Sequence, residues 1–184
     1  MNFKNQSTIT KIVAIGIGAA VFFILGRFLS IPVGIANTSL ETTYPFLALM
    51  SVIFGPVVGG LIGLIGHGIK DLLTYGLWIS WVISSGITGI GYGIVGKKLN
   101  VANGIFTKAD MIKFNIGQLI TNLIAWALVA PTLDILIYQE PANKVFLQGI
   151  VAALMNSVVV AILGTILIIA FTKTQTPDNS LQRD

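Results

Sequence analysis

The sequence contains no cysteine and a single histidine, His67. That excludes disulfide frameworks, thiol nucleophiles, iron–sulfur clusters and the common zinc sites, each of which needs several Cys or His side chains. No metal or other cofactor is expected. Charge is scarce too: 10% of the 184 residues are charged, against about 25% in an average soluble domain. So few charges, alongside 20 glycines, cannot coat a globule of this length in water. What is abundant is apolar, with 54% hydrophobic residues and a mean hydropathy of +0.88. These values describe an integral membrane protein, in which lipid replaces water around the exterior. The net charge of +4 comes from basic residues flanking apolar runs, so it reports orientation and not a nucleic-acid partner.

Apolar runs long enough to span a bilayer, about 17 to 25 residues, occupy Ile12 to Ile31, Trp78 to Val95, Met111 to Pro131 and Val145 to Phe171. A further stretch from Thr43 to Tyr75 is interrupted at Gly55-Pro56, where proline removes a helix donor and restricts the residue before it. Lys4 and Lys11 precede the first run, and Lys97 and Lys98 follow the Trp78 run. Both clusters belong in the cytoplasm, so an even number of crossings separates them. Two spans, 43–54 and 57–75, satisfy that count.

The fold class expected is therefore an all-α membrane protein of six transmembrane helices, N and C termini cytoplasmic, the second helix short and either tilted, partly re-entrant or covered by its neighbours. Residues 1–11 form a cytoplasmic lead, 12–171 one membrane domain and 172–184 a disordered cytoplasmic tail. Lys108, Lys113, Lys173 and Arg183 also fall inside, and Lys144 alone lies in an outer loop. The expected location is a bacterial cell membrane.

In the third span His67, Lys70, Asp71 and Thr74 stand at i, i+3, i+4 and i+7 and share one face, which Gly59, Gly60 and Gly63 continue. Leu61, Ile62, Ile65, Ile69, Leu72 and Leu73 cover the opposite side. Ionisable groups inside a span are costly and mark a site or a pairing partner. Asn115, Gln118, Asn122 and Trp126 form a stripe on the fifth span, Trp81, Ser85, Thr88 and Tyr92 on the fourth, and Gln148, Ala152 and Asn156 on the sixth. On the assigned topology most of these groups fall in the outer halves of their helices, which places a polar pocket open to the outside. The competing account is structural: Lys70 and Asp71 neutralise neighbours, and the amides join helices without any ligand.

Aromatic rings beside amides suit a small, flat, polar ring compound. The candidate substrate-binding residues are Asn37, Glu41, His67, Lys70, Asp71, Trp81, Ser85, Asn122, Trp126, Gln148 and Asn156. Trp78 is assigned to the interfacial aromatic belt. The outer loop from Pro32 to Thr43 is long enough to cover the pocket. Small residues on the first span, Ala14 with Gly18 and Gly16 with Ala20, allow close approach of another helix, either a partner's or one of this chain.

Gly91, Gly93 and Gly96 match a G-x-G-x-x-G string, but inside an apolar span with no preceding strand, so dinucleotide binding is not supported. No nucleophile pair, phosphate loop or ATPase motif is present. The chain reads as a binding or transport subunit without catalytic residues. A small secondary transporter or channel using the same polar path is the alternative.

The run from Ala14 to Ala20, then Gly26-Arg27-Phe28, Ile31-Pro32, Glu41-Thr42, Phe54-Gly55-Pro56 and the stretch from Gly66 to Asp71, resembles the substrate-binding S components of energy-coupling factor (ECF) transporters. The resemblance covers roughly residues 10–171. It implies a vitamin-capture subunit that docks on a transmembrane coupling subunit (T component) driven by two cytoplasmic ATPase subunits, and that topples to release substrate. It also implies that small residues of the first helix make the docking contact, with Ala14, Gly16, Gly18 and Ala20 in the place of the family's Ala-x-x-x-Ala surface. Hydroxymethylpyrimidine and pyridoxine-like vitamers are the ring compounds that suit the Trp and amide set. Riboflavin and biotin stay open.

Overall fold

Ser7 begins the first helix by accepting a hydrogen bond from Thr10 N at 3.1 Å, and helix α1 runs from Thr8–Phe28. The computed structural model describes residues 6–32, 34, 39–74 and 76–175. After α1, strands β1 (Ser30–Pro32) and β2 (Ser39–Glu41) form a short antiparallel hairpin that pairs Ser30 with Glu41 and Pro32 with Ser39. Helices α2 (Thr43–Phe54), α3 (Pro56–Thr74) and α4 (Ile79–Gly96) follow, then α5 (Lys108–Tyr138) and α6 (Ala142–Lys173). The all-α expectation holds, and the hairpin is the one addition to it. Helix α1 starts four residues before the expected domain boundary and α6 ends two residues beyond it. Residues 176–184 lie outside the described residues.

Five of the six helices are long and apolar enough to cross a membrane. Helix α2, with 12 residues, reaches only about 18 Å, against about 30 Å of hydrocarbon. It survives because its neighbours cover it: Tyr44, Leu47, Ala48, Ser51 and Val52 are all buried. The break between α2 and α3 falls where the sequence places it. Gly55 takes φ 89°, a left-handed value that favours glycine, and Pro56 starts α3, where its missing N–H costs nothing.

The polar stripe of α3 continues into glycines that press on α4. A Cβ on Gly89 would overlap the carbonyl of Gly59 and come 2.9 Å from Gly60 N, so the two backbones touch directly. Leu61, Ile65, Ile69, Leu72 and Leu73 face outward as expected, but Ile62 does not. It is fully buried because Gly18 of α1 leaves room for its side chain.

Helix α5 departs most from expectation. The apolar run was ended at Pro131, yet the helix continues to Tyr138. It passes proline through a π-helical segment, Leu123–Val129, in which the 130 amide bonds to Ala125 O. The wider turn accommodates a ring that would clash in a regular helix. Helix α6 carries a second such segment at Val160–Gly164. The bundle thus has two dissimilar ends. One bears Lys97, Lys98 and Lys108; the other carries the hairpin, the last turns of α3 and α5 and the first turns of α4 and α6.

Candidate functional site

At the hairpin end the α3 stripe delivers three ionisable groups to three different partners. Lys70 Nζ pairs with Glu41 Oε1 of β2 at 2.7 Å, with both side chains largely buried. His67 Nδ1 is bonded to Ser85 Oγ of α4, which in turn is bonded to Tyr44 OH of α2 at 2.9 Å. Asp71, fully buried, accepts from Trp78 N at 3.1 Å through one oxygen. Its other oxygen stands 3.3 Å from His67 Nε2 without a hydrogen bond.

Around His67 the rings of Phe22, Tyr44, Trp81 and Trp126 form one aromatic cluster. Tyr44 meets Trp126 edge-on at 5.2 Å, Trp81 lies 5.4 Å from Trp126, and the His67 ring is 6.4 Å from it. Such offset and edge contacts are the favoured aromatic geometries. Tyr44, His67, Trp81 and Trp126 line a cavity of about 150 Å³, which Arg27, Ser30, Ser39, Glu41, Lys70, Thr74, Ala152 and Asn156 help to complete. Three buried polar atoms of its wall have no hydrogen-bond partner: Trp126 Nε1, Asn156 Oδ1 and Glu41 Oε2.

A second cavity, of about 200 Å³, shares His67 and Trp81 with the first. Asp71, Trp78, Asp134, Glu140, Lys144 and Gln148 form the rest of its polar wall. Asp134, which sequence reasoning missed, is its anchor. It accepts from Trp78 Nε1 at 2.7 Å, from Trp81 Nε1 at 2.8 Å and from Ser80 Oγ. A signal existed, because Asn122, Trp126, Ala130 and Asp134 continue one stripe at four-residue steps. Ending the span at Pro131 hid it.

Of the residues singled out from sequence, Glu41, His67, Lys70, Trp81, Trp126 and Asn156 meet at the first cavity, and Asp71 and Gln148 at the second. Ser85 stands behind His67 and holds its ring. Asn122 lines neither cavity; it accepts from Tyr92 OH at 3.0 Å and donates to Gln118 Oε1 at 2.8 Å. Asn37 lies outside the described residues. Trp78, assigned to the aromatic belt, is tied to Asp134 and stacked on Tyr138 at 4.3 Å. On α1, Ala14 and Gly18 are buried, and a side chain at Gly18 would meet Ile62. Gly16 and Ala20 point outward, with open space beside Gly16.

The sequence matches the description "ECF-type riboflavin transporter, S component" from residue 6 to residue 173. The chain belongs to this S-component family. It is therefore a membrane-embedded, substrate-binding subunit of the ECF transporter class. Relatives named "UPF0397 protein" are similar throughout. One from Enterococcus faecalis is 58% identical over 182 residues, covering 98% of this chain and 100% of that protein. Another, from Staphylococcus aureus strain JH9, is 57% identical over 98% of this chain and 99% of its own length. As an S component the chain is a transport and binding subunit, and membership of this family implies association with T and ATPase subunits.

Proposed function

We propose that this S component captures a small, single-ring, water-soluble vitamin or precursor, of hydroxymethylpyrimidine or pyridoxine type, in the first cavity. One observation carries the reading: Trp126 Nε1, Asn156 Oδ1 and Glu41 Oε2 are buried without partners around one aromatic-walled space. A buried unpaired polar group costs about 1 to 3 kcal/mol, which a ligand with matching donors and acceptors recovers. Riboflavin, named in the family description, has three fused rings. A space of about 150 Å³ lies below the roughly 300 Å³ at which pockets for drug-sized molecules begin, and so favours one ring.

The hairpin end faces outside and the end with Lys97 and Lys98 faces the cytoplasm, following the positive-inside bias. Release to the inside requires the T component and two ATPase subunits. Gly16 and Ala20, exposed on α1, are the residues that dock on the T component; Ala14 is buried, and Gly18 is closed off by Ile62 of α3. A channel reading is less well supported, because Gln118 and Asn122 are committed to each other, to Tyr92 and to Ser157 O, which closes the polar path toward the lysine end.

The test is titration of the purified protein with hydroxymethylpyrimidine, pyridoxine and riboflavin, followed by tryptophan fluorescence or heat. Saturable binding of a single-ring vitamer without ATP is expected. If only riboflavin binds, the single-ring assignment fails; if none of the vitamers binds, the vitamin-pocket reading fails. Cysteines introduced at positions 98 and 142 give the orientation, since the chain has none of its own. Labelling of both by an impermeant reagent from the same side would overturn it.

A further inference from the structure

The second cavity differs from the first in charge. Glu140 is matched by Lys144 at 2.7 Å, whereas Asp71 faces only the His67 ring at 3.3 Å and Asp134 has no basic partner, so among the described residues neither of these two carboxylates is paired with a lysine or arginine. Both are buried, at 0% and 1% exposure. Asp134 is surrounded by three donors, the complement of an ionised carboxylate, which only accepts. The wall holds three carboxylates, Asp71, Asp134 and Glu140, against one lysine, Lys144. A buried negative charge in a membrane domain is costly unless a cation joins it.

Two further observations point to a ligand. One oxygen of Asp71, on the cavity wall, has no hydrogen-bond partner. Trp78 and Trp81 border the same space, and indole rings attract ammonium groups. We infer that this cavity is a cation subsite that takes the protonated amine or quaternary nitrogen of the captured molecule. His67 and Trp81 belong to both cavities, so one ligand can place a ring in the first and its cationic arm in the second. The inference rests on the capture reading above and narrows its substrate class to a ring compound bearing a positively charged substituent.

A matched pair of probes tests it. Pyridoxamine and pyridoxine differ in an aminomethyl against a hydroxymethyl group, and choline offers a quaternary nitrogen with no ring. The full-length protein in detergent is titrated with each at constant ionic strength. Pyridoxamine should bind about tenfold or more tighter than pyridoxine. Asp71→Asn should abolish that preference. Lys144→Gln alters a half-exposed side chain and removes a positive charge from the wall. It should tighten pyridoxamine and choline about two- to fivefold relative to pyridoxine. A purely structural role for the carboxylates would not produce that gain.

If pyridoxine binds as tightly as pyridoxamine, or Lys144→Gln tightens neither cation, the cation subsite is overturned while single-ring capture stands. If choline binds and weakens in Asp71→Asn while neither vitamer binds, the subsite stands and the ring assignment falls. Absence of binding by all three probes overturns the cation subsite, and single-ring capture falls with it only if hydroxymethylpyrimidine also fails to bind.

Discussion

Toward the lysine end, Asn122 and Gln118 bond to each other, Tyr92 OH donates to Asn122, and Gln118 donates to Ser157 O at 3.1 Å. Toward the hairpin end, Trp126, Asn156 and Glu41 each leave a buried polar atom unmatched beside one cavity. Polar side chains thus join helices in one half, whereas in the other they keep an atom unmatched. Asp71, at the second cavity, also has an oxygen without a hydrogen-bond partner, as do Gln6, Thr43 and Asn115, which border neither cavity. The contrast teaches that a polar stripe in a span identifies a functional site only where its groups are left unsatisfied around a shared space.

The largest effect should come from breaking the packing on which both halves depend. Gly89→Val places a side chain against the backbone of Gly59 and forces α3 away from α4. A loss of about 3 kcal/mol or more is expected, seen as a large drop in thermal stability in detergent.

The comparison itself is tested by pairing one residue from each half. Trp126→Phe keeps an aromatic ring but deletes the unmatched donor, so vitamer affinity should fall about five- to 150-fold, equivalent to about 1 to 3 kcal/mol, with thermal stability nearly unchanged. Asn122→Ala should do the reverse. It should lower stability by about 1 to 2 kcal/mol and leave the affinity of the folded protein close to that of the parent. Equal effects of the two substitutions on affinity would erase the distinction between the halves.

A smaller effect is expected at the hairpin. Lys70→Met removes the partner of Glu41 and loosens the strand over the first cavity. Ligand dissociation should accelerate about fivefold, corresponding to about 1 kcal/mol, in stopped-flow fluorescence. The smallest effect on the isolated protein should come from Gly16→Leu, because open space lies beside that residue. Stability and affinity should change by less than about 0.5 kcal/mol, while co-purification with the T component should be lost. Gly18→Leu should instead destabilise the subunit itself, since its side chain would meet Ile62.

Much of the fold was legible because its determinants act along the chain. Hydropathy marked the spans, Gly55-Pro56 marked the turn between α2 and α3, and the spacing of His67, Lys70 and Asp71 put them on one face. The site was legible only in outline. Proline is read locally as a helix terminator, so the continuation of α5 through Pro131 and the arrival of Asp134 opposite Trp78, Ser80 and Trp81 could not be seen. Asn122 and Asn156 are both amides on polar stripes, and the residues themselves do not distinguish a helix clamp from a cavity wall.

The sequence by itself determined the solvent of this protein, the number and order of its helices and the face each helix turns inward, because apolar period, helix breakers and charge asymmetry are properties of neighbours along one chain. The tertiary structure decided which of those inward groups are satisfied: that Tyr92 reaches Asn122, that Ser85 holds His67, that Gly18 is filled by Ile62 while Gly16 stays open, and that Asp71 and Trp126 keep an atom unpaired. The physical reason is that hydrogen-bond satisfaction depends on contacts between helices a few ångströms apart, and those distances are set by glycine contacts and π-helical turns at remote positions.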